Sequence, residues 1–411
     1  MKKIALAGTA LMSVIHLTTA AQAAEPIKLE VGGFMNQWFA VVFQENDVAG
    51  RNNRTYTHPV NGQTTSSPAE HGHFASLTDA EIHFKGETTL DSGLKIAVVF
   101  EMEAERMSAG GSSTGQGNNS TSRNADQQYL VLTSGFGELS MGERDNVQLR
   151  AHNAAPRFGA GLDIIRQVIV PRGTAANGMH VAAPSPSGAY DSTALDAMDG
   201  TGAVKIDYLT PQFWGLTLGL GYTPTNGSRG LANKETQQRD MMSAVLAYQR
   251  AVGEDFKVGL DVGYGHLLYN HNPTLGANVS GQAHGISSGG KISWNGLSIG
   301  GSHLRIIDNY RNDATPQTGG TIGGWAWDAG ASYESGPWGV SFTYYKESQK
   351  ADPTVKGNDT VTQWALGGKY DVGPGVSFVA SAHRAVYKDE INIDATNTSG
   401  WAFISGVNLT F

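Results

Sequence analysis

Along most of the chain, apolar and polar residues alternate with a period of two. Leu216, Leu218, Leu220 and Tyr222 alternate with Thr217, Gly219 and Gly221. Phe256, Val258, Leu260, Val262 and Tyr264 alternate with Lys257, Gly259, Asp261 and Gly263. Val340, Phe342 and Tyr344 enclose Ser341 and Thr343, and Trp401, Phe403, Val407, Leu409 and Phe411 run past Ala402, Gly406, Asn408 and Thr410. This period predicts strands. One face of each is large and often aromatic; the other is mostly Gly, Ser, Thr, Asp and Lys. That contrast is expected where the outer face of a sheet meets lipid and the inner face meets water. The strands read as about ten residues, enough for a tilted strand to cross a bilayer.

The connections alternate too. Short ones fall near Thr89–Gly93, Ser134–Gly137, Pro211–Gly215, Ala251–Asp255, Asn295–Gly296, Glu334–Gly339 and Asp371–Gly375. Long ones fall near Glu45–His73, Met107–Ala125, Arg144–Gly200, Thr223–Gln238, Asn270–His284, Asp308–Gly324, Gln349–Thr360 and Lys388–Ser399. Seven short and eight long connections join sixteen strands. An even strand number, with short turns at one rim and long loops at the other, predicts an all-β, 16-stranded antiparallel transmembrane β-barrel. Closure satisfies every backbone hydrogen bond in lipid. Phe136, Trp214, Phe256, Trp294, Trp338, Tyr370 and Phe411 lie at the short-turn rim, and Tyr222, Tyr269, Trp327, Tyr344, Trp364 and Trp401 nearer the other, as two interfacial girdles require.

Composition narrows the field. The 411 residues include 53 glycines and no cysteine, only 16% are charged, and the formal charge is -8. Absence of cysteine removes disulfide scaffolds and thiolate chemistry. No block of Lys or Arg supports nucleic-acid binding. Met1-Lys2-Lys3, the apolar run Ile4–Leu17 and Ala21-Gln22-Ala23 read as a secretory signal peptide over 1–23, leaving a single domain over 24–411. Loss of Lys2 and Lys3 takes the charge from -8 to -10. No later stretch reaches the ~20 apolar residues of a transmembrane helix. The expected location is the bacterial outer membrane.

Several short motifs add a family. Phe84-Lys85-Gly86-Glu87-Thr88, at the first short turn, resembles the FKGET motif of the Gram-negative general porins. Gly137-Glu138-Leu139-Ser140-Met141-Gly142-Glu143-Arg144 resembles the strand before their third loop, Pro156-Arg157-Phe158-Gly159-Ala160-Gly161 their PEFGGD-like run, and Phe411 their aromatic terminus. The resemblance implies a homotrimer of 16-stranded barrels with outer-membrane lipid around it. It also implies a long third loop folded into the lumen, where acidic loop residues face a basic wall.

The sequence departs from that pattern. Arg157 stands in place of the acid after proline, and Gly161 in place of the closing acid. From Arg144 to Arg172 the segment holds Arg144, Arg150, Arg157, Arg166 and Arg172 against Asp145 and Asp163, a balance of +3. Asp191, Asp196 and Asp199 make the whole connection to Gly200 neutral. On the wall, Glu81 occupies the place of a family arginine, and Glu101, Glu103 and Glu105 point inward by parity, as do Lys95, Lys205 and Lys291. Two readings stay open: these arginines face the lumen as a basic constriction, or they tie the loop to wall carboxylates.

Other chemistry is sparse. His71-Gly72-His73 is a weak metal pair, and Gly200-Thr201-Gly202-Ala203-Val204-Lys205 lacks phosphate-loop spacing. There is no G-x-S-x-G elbow. His152, His266, His303 and His383 read as lumen or rim side chains. Arg305 and Arg384 share parity with lipid-facing neighbours, which calls for a bulge or a position above the membrane. No catalytic, cofactor-binding or metal residue and no cofactor is expected. The expected function is passive, water-filled diffusion of ions and small hydrophilic solutes. The alternatives are an anion-preferring selective channel and, further off, an outer-membrane enzyme or adhesin.

Overall fold

The computed structural model describes residues 26–45, 54–57, 64–67, 72–104, 125–169, 193–195, 203–225, 239–253, 255–271, 279–312, 321–350, 356–388 and 397–411. The expected signal peptide lies outside them. The strands are β1 (Lys28–Glu45), β2 (Arg54–Thr57), β3 (Thr64–Ser67), β4 (Phe74–Thr89), β5 (Lys95–Glu103), β6 (Ala125–Ser134), β7 (Gly137–Glu143), β8 (Val204–Leu209) and β9 (Leu216–Thr225). They continue as β10 (Arg239–Val252), β11 (Phe256–His271), β12 (Val279–Trp294), β13 (Leu297–Asn312), β14 (Thr321–Ser335), β15 (Trp338–Lys350), β16 (Asp359–Gly373), β17 (Val376–Lys388) and β18 (Thr398–Thr410). Among the described residues, two helices, α1 (Val147–Ala151) and α2 (Leu162–Val168), lie between β7 and β8.

Sixteen of the strands form one closed antiparallel barrel, and β2 and β3 make a separate hairpin within the first long connection. Closure joins β1 to β18 in register from Phe34↔Thr410 to Glu45↔Ser399. Gly33 and Phe411 then exchange two backbone hydrogen bonds of 3.0 Å each. The seven short connections fall where the sequence places them. Asn295 and Gly296 turn at φ 47 and 81, the left-handed pair a two-residue hairpin needs.

The strands are longer than expected. β1 has 18 residues and β4, β11, β12 and β13 have 16 each. A bilayer needs only about 9–11. Pairing therefore continues past the apolar band, and β11 and β12 pair as far as His271↔Ser280, across a register shift between Leu267 and Asn270. Polar composition near the long loops marks the water boundary, not the end of the ladder.

The outer face is apolar and exposed at Leu218, Leu260, Phe342, Leu366 and Phe403. At the short-turn rim Trp214, Trp294, Trp338 and Phe411 are exposed, and Trp338 lies 4.4 Å from Tyr370. Toward the other rim the rings of Trp327, Tyr344 and Trp364 follow in a row, tilted at 4.9 Å and then edge-on at 5.5 Å. Arg305 and Arg384 point outward with unbroken register. Arg384 pairs with Glu45 at 2.8 Å and lies over the Trp401 ring at 5.7 Å. Thus both arginines obey parity, Arg305 midway along β13 and Arg384 in the long-loop half of β17, and neither sits at a bulge.

Candidate functional site

The segment after β7 folds into the barrel and runs along its inner wall. Asn146 caps α1, its side-chain oxygen accepting from the amides of Gln148 (2.9 Å) and Leu149 (2.8 Å). Buried Gln148 bonds to Ser287 on β12 and to the amide of Leu195. His152 Nδ1 lies 2.9 Å from Asp261 on β11, and its Nε2 lies 2.9 Å from Thr193. The same Asp261 accepts from Asn153 twice, from its amide at 2.7 Å and its side chain at 3.0 Å. Next, Asp328 on β14 accepts from the Ala155 amide (3.1 Å) and Ser302 (2.7 Å). On β15, Thr343 donates to the Pro156 carbonyl (3.1 Å) and Ser341 accepts from the Phe158 amide (2.8 Å). An irregular segment carries peptide groups that cannot be buried unpaired, and the short polar side chains of the inner face supply the partners. Gly289 and Gly367 leave the space into which the carbonyls of Asn153 and Phe158 fit.

This changes the meaning of the small polar face. Asp207, Thr223, Ser243, Asp261, Ser287, Ser302, Asp328, Thr343, Gln363, His383 and Ala402 stand one on each strand from β8 to β18, and all are buried. Across these strands the face predicted to line open water is largely a bed for the inward segment.

Beyond Phe158 the contacts change character. Ala160, Ile164, Ile165, Val168 and Ile169, with Leu195, form one apolar cluster with inward residues of the wall. Those include Trp38, Ala40 and Val42 on β1, Leu304 and Ile306 on β13, Tyr345 on β15, Tyr387 on β17, and Ala402 and Ile404 on β18. Toward the long loops the inner face therefore carries an apolar cluster, which the expected polar lumen did not include, beside buried polar residues such as Thr225, Glu347 and Gln349. A seven-residue helix is unstable alone. Full burial of Ile165 and Ile169, at roughly 1.5–3 kcal/mol each, holds it in place.

The structure sorts the predicted charges. Arg144 and Arg150 each reach Glu138 at 2.7 Å, and Arg150 also lies 3.6 Å from Asp207. Arg144 lies over the Tyr129 ring at 4.4 Å. Both arginines tie the loop to the wall. Lys205 points inward but is buried, donating to the Arg144 carbonyl. Asp145 is half-buried, its amide donating to Gln127 at 3.1 Å. Arg157 is exposed, and Arg166 is half-buried on α2. Arg172, Glu105 and the Asp163 side chain fall outside the described residues.

On β4 and β5 the carboxylates do gather. Glu81 faces Glu103, and His83 faces Glu101. His83 Nε2 lies 2.7 Å from Glu81, and Tyr129 donates to Glu101 at 3.4 Å. Ligand atoms of Glu81, His83 and Glu101, and of Glu81, Glu103 and Asp126, lie within 4.8 Å of one another. A cation could be held by either trio. Sequence parity missed Asp126, because the register shift beside Glu101 and Met102 brings it in. Asp79 was legible, two residues before Glu81 on the same face; it accepts from Asn36 at 3.2 Å. Lys95 pairs with Glu87 at 2.7 Å in an exposed chain of ion pairs near the short turns, and Lys291 is exposed on β12.

The remaining histidines separate. His73 bonds to the Val42 carbonyl at 3.0 Å, and His71 lies outside the described residues. His383 is buried 2.8 Å from Ser381, while His303 and His266 lie on the outer face. The Thr193–His152–Asp261 string resembles a nucleophile relay in composition, but its His and Asp side chains are 5% and 0% exposed. It anchors the loop.

A family model described as Gram-negative porin matches residues 7–390. No curated protein matches the sequence. Among solved structures, the chain is similar to an anion-selective porin from Comamonas acidovorans, with 16% identity and a TM-score of 0.58 over 94% of this chain and 100% of that one. It is also similar to the outer membrane channel DcaP of Acinetobacter baumannii, with 11% identity and a TM-score of 0.60 over 96% and 100%. The trimer form of OmpT, an outer membrane protein of Vibrio cholerae, gives 12% identity and a TM-score of 0.53 over 94% and 100%. At these identities the likeness concerns the fold.

Proposed function

The chain belongs to the Gram-negative porin family, and from that premise we propose how its pore sorts solutes. It is an outer-membrane channel for passive diffusion, a channel fold rather than an enzyme fold. Its narrow zone lies between the inward segment 144–169 and the wall of β4, β5 and β6. The loop side carries Arg157 and Arg166; the wall carries Glu81, Glu101 and Glu103, with Asp79 and Asp126. Arg144 and Arg150 contribute little to the field, because Glu138 and Asp207 neutralise them. The observation that carries this reading is the exposure of Arg157 on a loop whose other arginines near β7 are paired. A transverse field of this kind orders dipolar solutes and biases ions, with polarity opposite to the general-porin pattern.

The test is planar-bilayer recording of the purified protein under a salt gradient. Ohmic conductance is expected. Glu101→Gln with Glu103→Gln should move the reversal potential toward anions, and Arg157→Glu toward cations. Unchanged reversal potentials in both would remove the field from the account. We further propose a homotrimer, supported by the trimeric form of one structural neighbour and read as conductance steps in threes. We propose cleavage after Ala23, read by N-terminal sequencing from outer membranes.

A further inference from the structure

The inward segment is built in two parts. Residues 146–158 are fastened to β11, β12, β14 and β15 by directed hydrogen bonds. Residues 160–169 are held by apolar contact with the wall. Between them stands Gly159, at φ +82, and two residues on, Gly161 is the N-cap of α2. The partner of α2 is a collar of inward apolar residues on the long-loop side, drawn from strands on both sides of the β1–β18 seam, with Ala75 and Leu77 of β4 packed against it, and round to Met241 on β10. A lumen that serves only as a water path gains nothing from Leu304, Ile306, Ala402 and Ile404 on its inner face. As a seat for a removable apolar stopper they have a use.

We propose that α2 is this stopper. Seated, it fills the apolar collar and confines passage to the side of the barrel along β4–β6. Unseated by rotation at Gly159–Gly161, it opens the long-loop half while 146–158 stays on the wall. The proposal rests on the channel reading above and adds a second, larger conducting state. An apolar contact suits this task because it is non-directional and reforms without matching partners, and an apolar constriction excludes water until it is displaced.

The experiment is single-channel recording of full-length protein carrying Ile165→Ser and Ile169→Ser, beside the parent and Ile165→Val with Ile169→Val. Folding is checked by heat-modifiable migration on gels. The serine variant should spend most of its time in a state of severalfold higher conductance, and the valine variant should resemble the parent. A complementary lock uses the absence of cysteine in the parent. A Cβ at Gly400 would lie 3.2 Å from Ile169 Cγ2 and 2.9 Å from the Phe43 carbonyl oxygen, so with a small backbone shift there, Gly400→Cys with Ile169→Cys should hold the low state until reductant is added. A folded serine variant with the parent's conductance and open time would overturn the stopper. Folded parent and serine variant that both fail to conduct would overturn the channel reading itself. A silent parent with a conducting serine variant would support both.

Discussion

Residues 146–158 and 160–169 belong to one inward-folded segment, yet different forces hold them. The first part is specified atom by atom: Asp261 alone accepts three hydrogen bonds from His152 and Asn153. The second part is specified largely by area, with Ile165 and Ile169 fully buried in the apolar cluster. Directed bonds fix position and are costly to break singly, because each leaves a buried group unpaired. Apolar contact fixes location loosely and yields gradually. A pore that needs a fixed constriction and a movable obstruction is served by having one of each.

The contrast can be broken at either end. The largest effect is expected from Asp261→Ala, which removes three hydrogen bonds to a carboxylate, roughly 4–6 kcal/mol of loop docking at about 1.5–3 each with partial compensation by water. Hydrogen exchange at the 152–155 amides should rise steeply while barrel melting stays unchanged. If exchange at 164–169 rises equally, the two parts are one unit. Ile165→Ser with Ile169→Ser should cost roughly 3–5 kcal/mol of contact and raise exchange in α2 without touching 152–155. Arg157→Glu should change the cation-to-anion permeability ratio by about tenfold, the equivalent of ~1.4 kcal/mol in a partly screened field, measured as a reversal potential. Glu138→Gln should free Arg144 and Arg150 and move selectivity toward anions by a smaller factor, since both remain beside Asp207 or Tyr129. Arg384→Ala, which breaks an exposed outer pair with Glu45, should cost under about 1 kcal/mol of stability and leave conductance alone.

Much of the barrel was legible because lipid imposes one rule on every strand. Alternation assigned the outer face, and Asn295-Gly296 and its counterparts assigned the short turns. The inner face was harder. The family resemblance put Glu81 on the wall and parity put Glu101 and Glu103 inside, yet parity fails at a register shift, and Asp126 was lost there. Arg305 and Arg384 stood out as charges on a lipid-facing parity, and the signal beside them was overlooked: their neighbours Leu304, Ile306 and Ala385 are apolar on the inward parity. A strand that is apolar on its inner face and carries a charge outside has left the bilayer and has something packed within. The loop's contacts could not be read at all, because Asp261 and Asp328 look alike whether they meet water or a buried amide.

The seam between β1 and β18 has a kinetic consequence. Its pairs join residues such as Phe34 and Thr410, nearly the whole chain apart. Loop-closure entropy makes such distant pairings slow to form. Until the seam closes, two strands keep unpaired edges, which hydrocarbon penalises heavily. Insertion and closure should therefore be strongly coupled, with a late barrier dominated by the outermost strands. Substitutions at Gly33 or Phe411 would then slow folding far more than equal losses at the local hairpin around Asn295-Gly296.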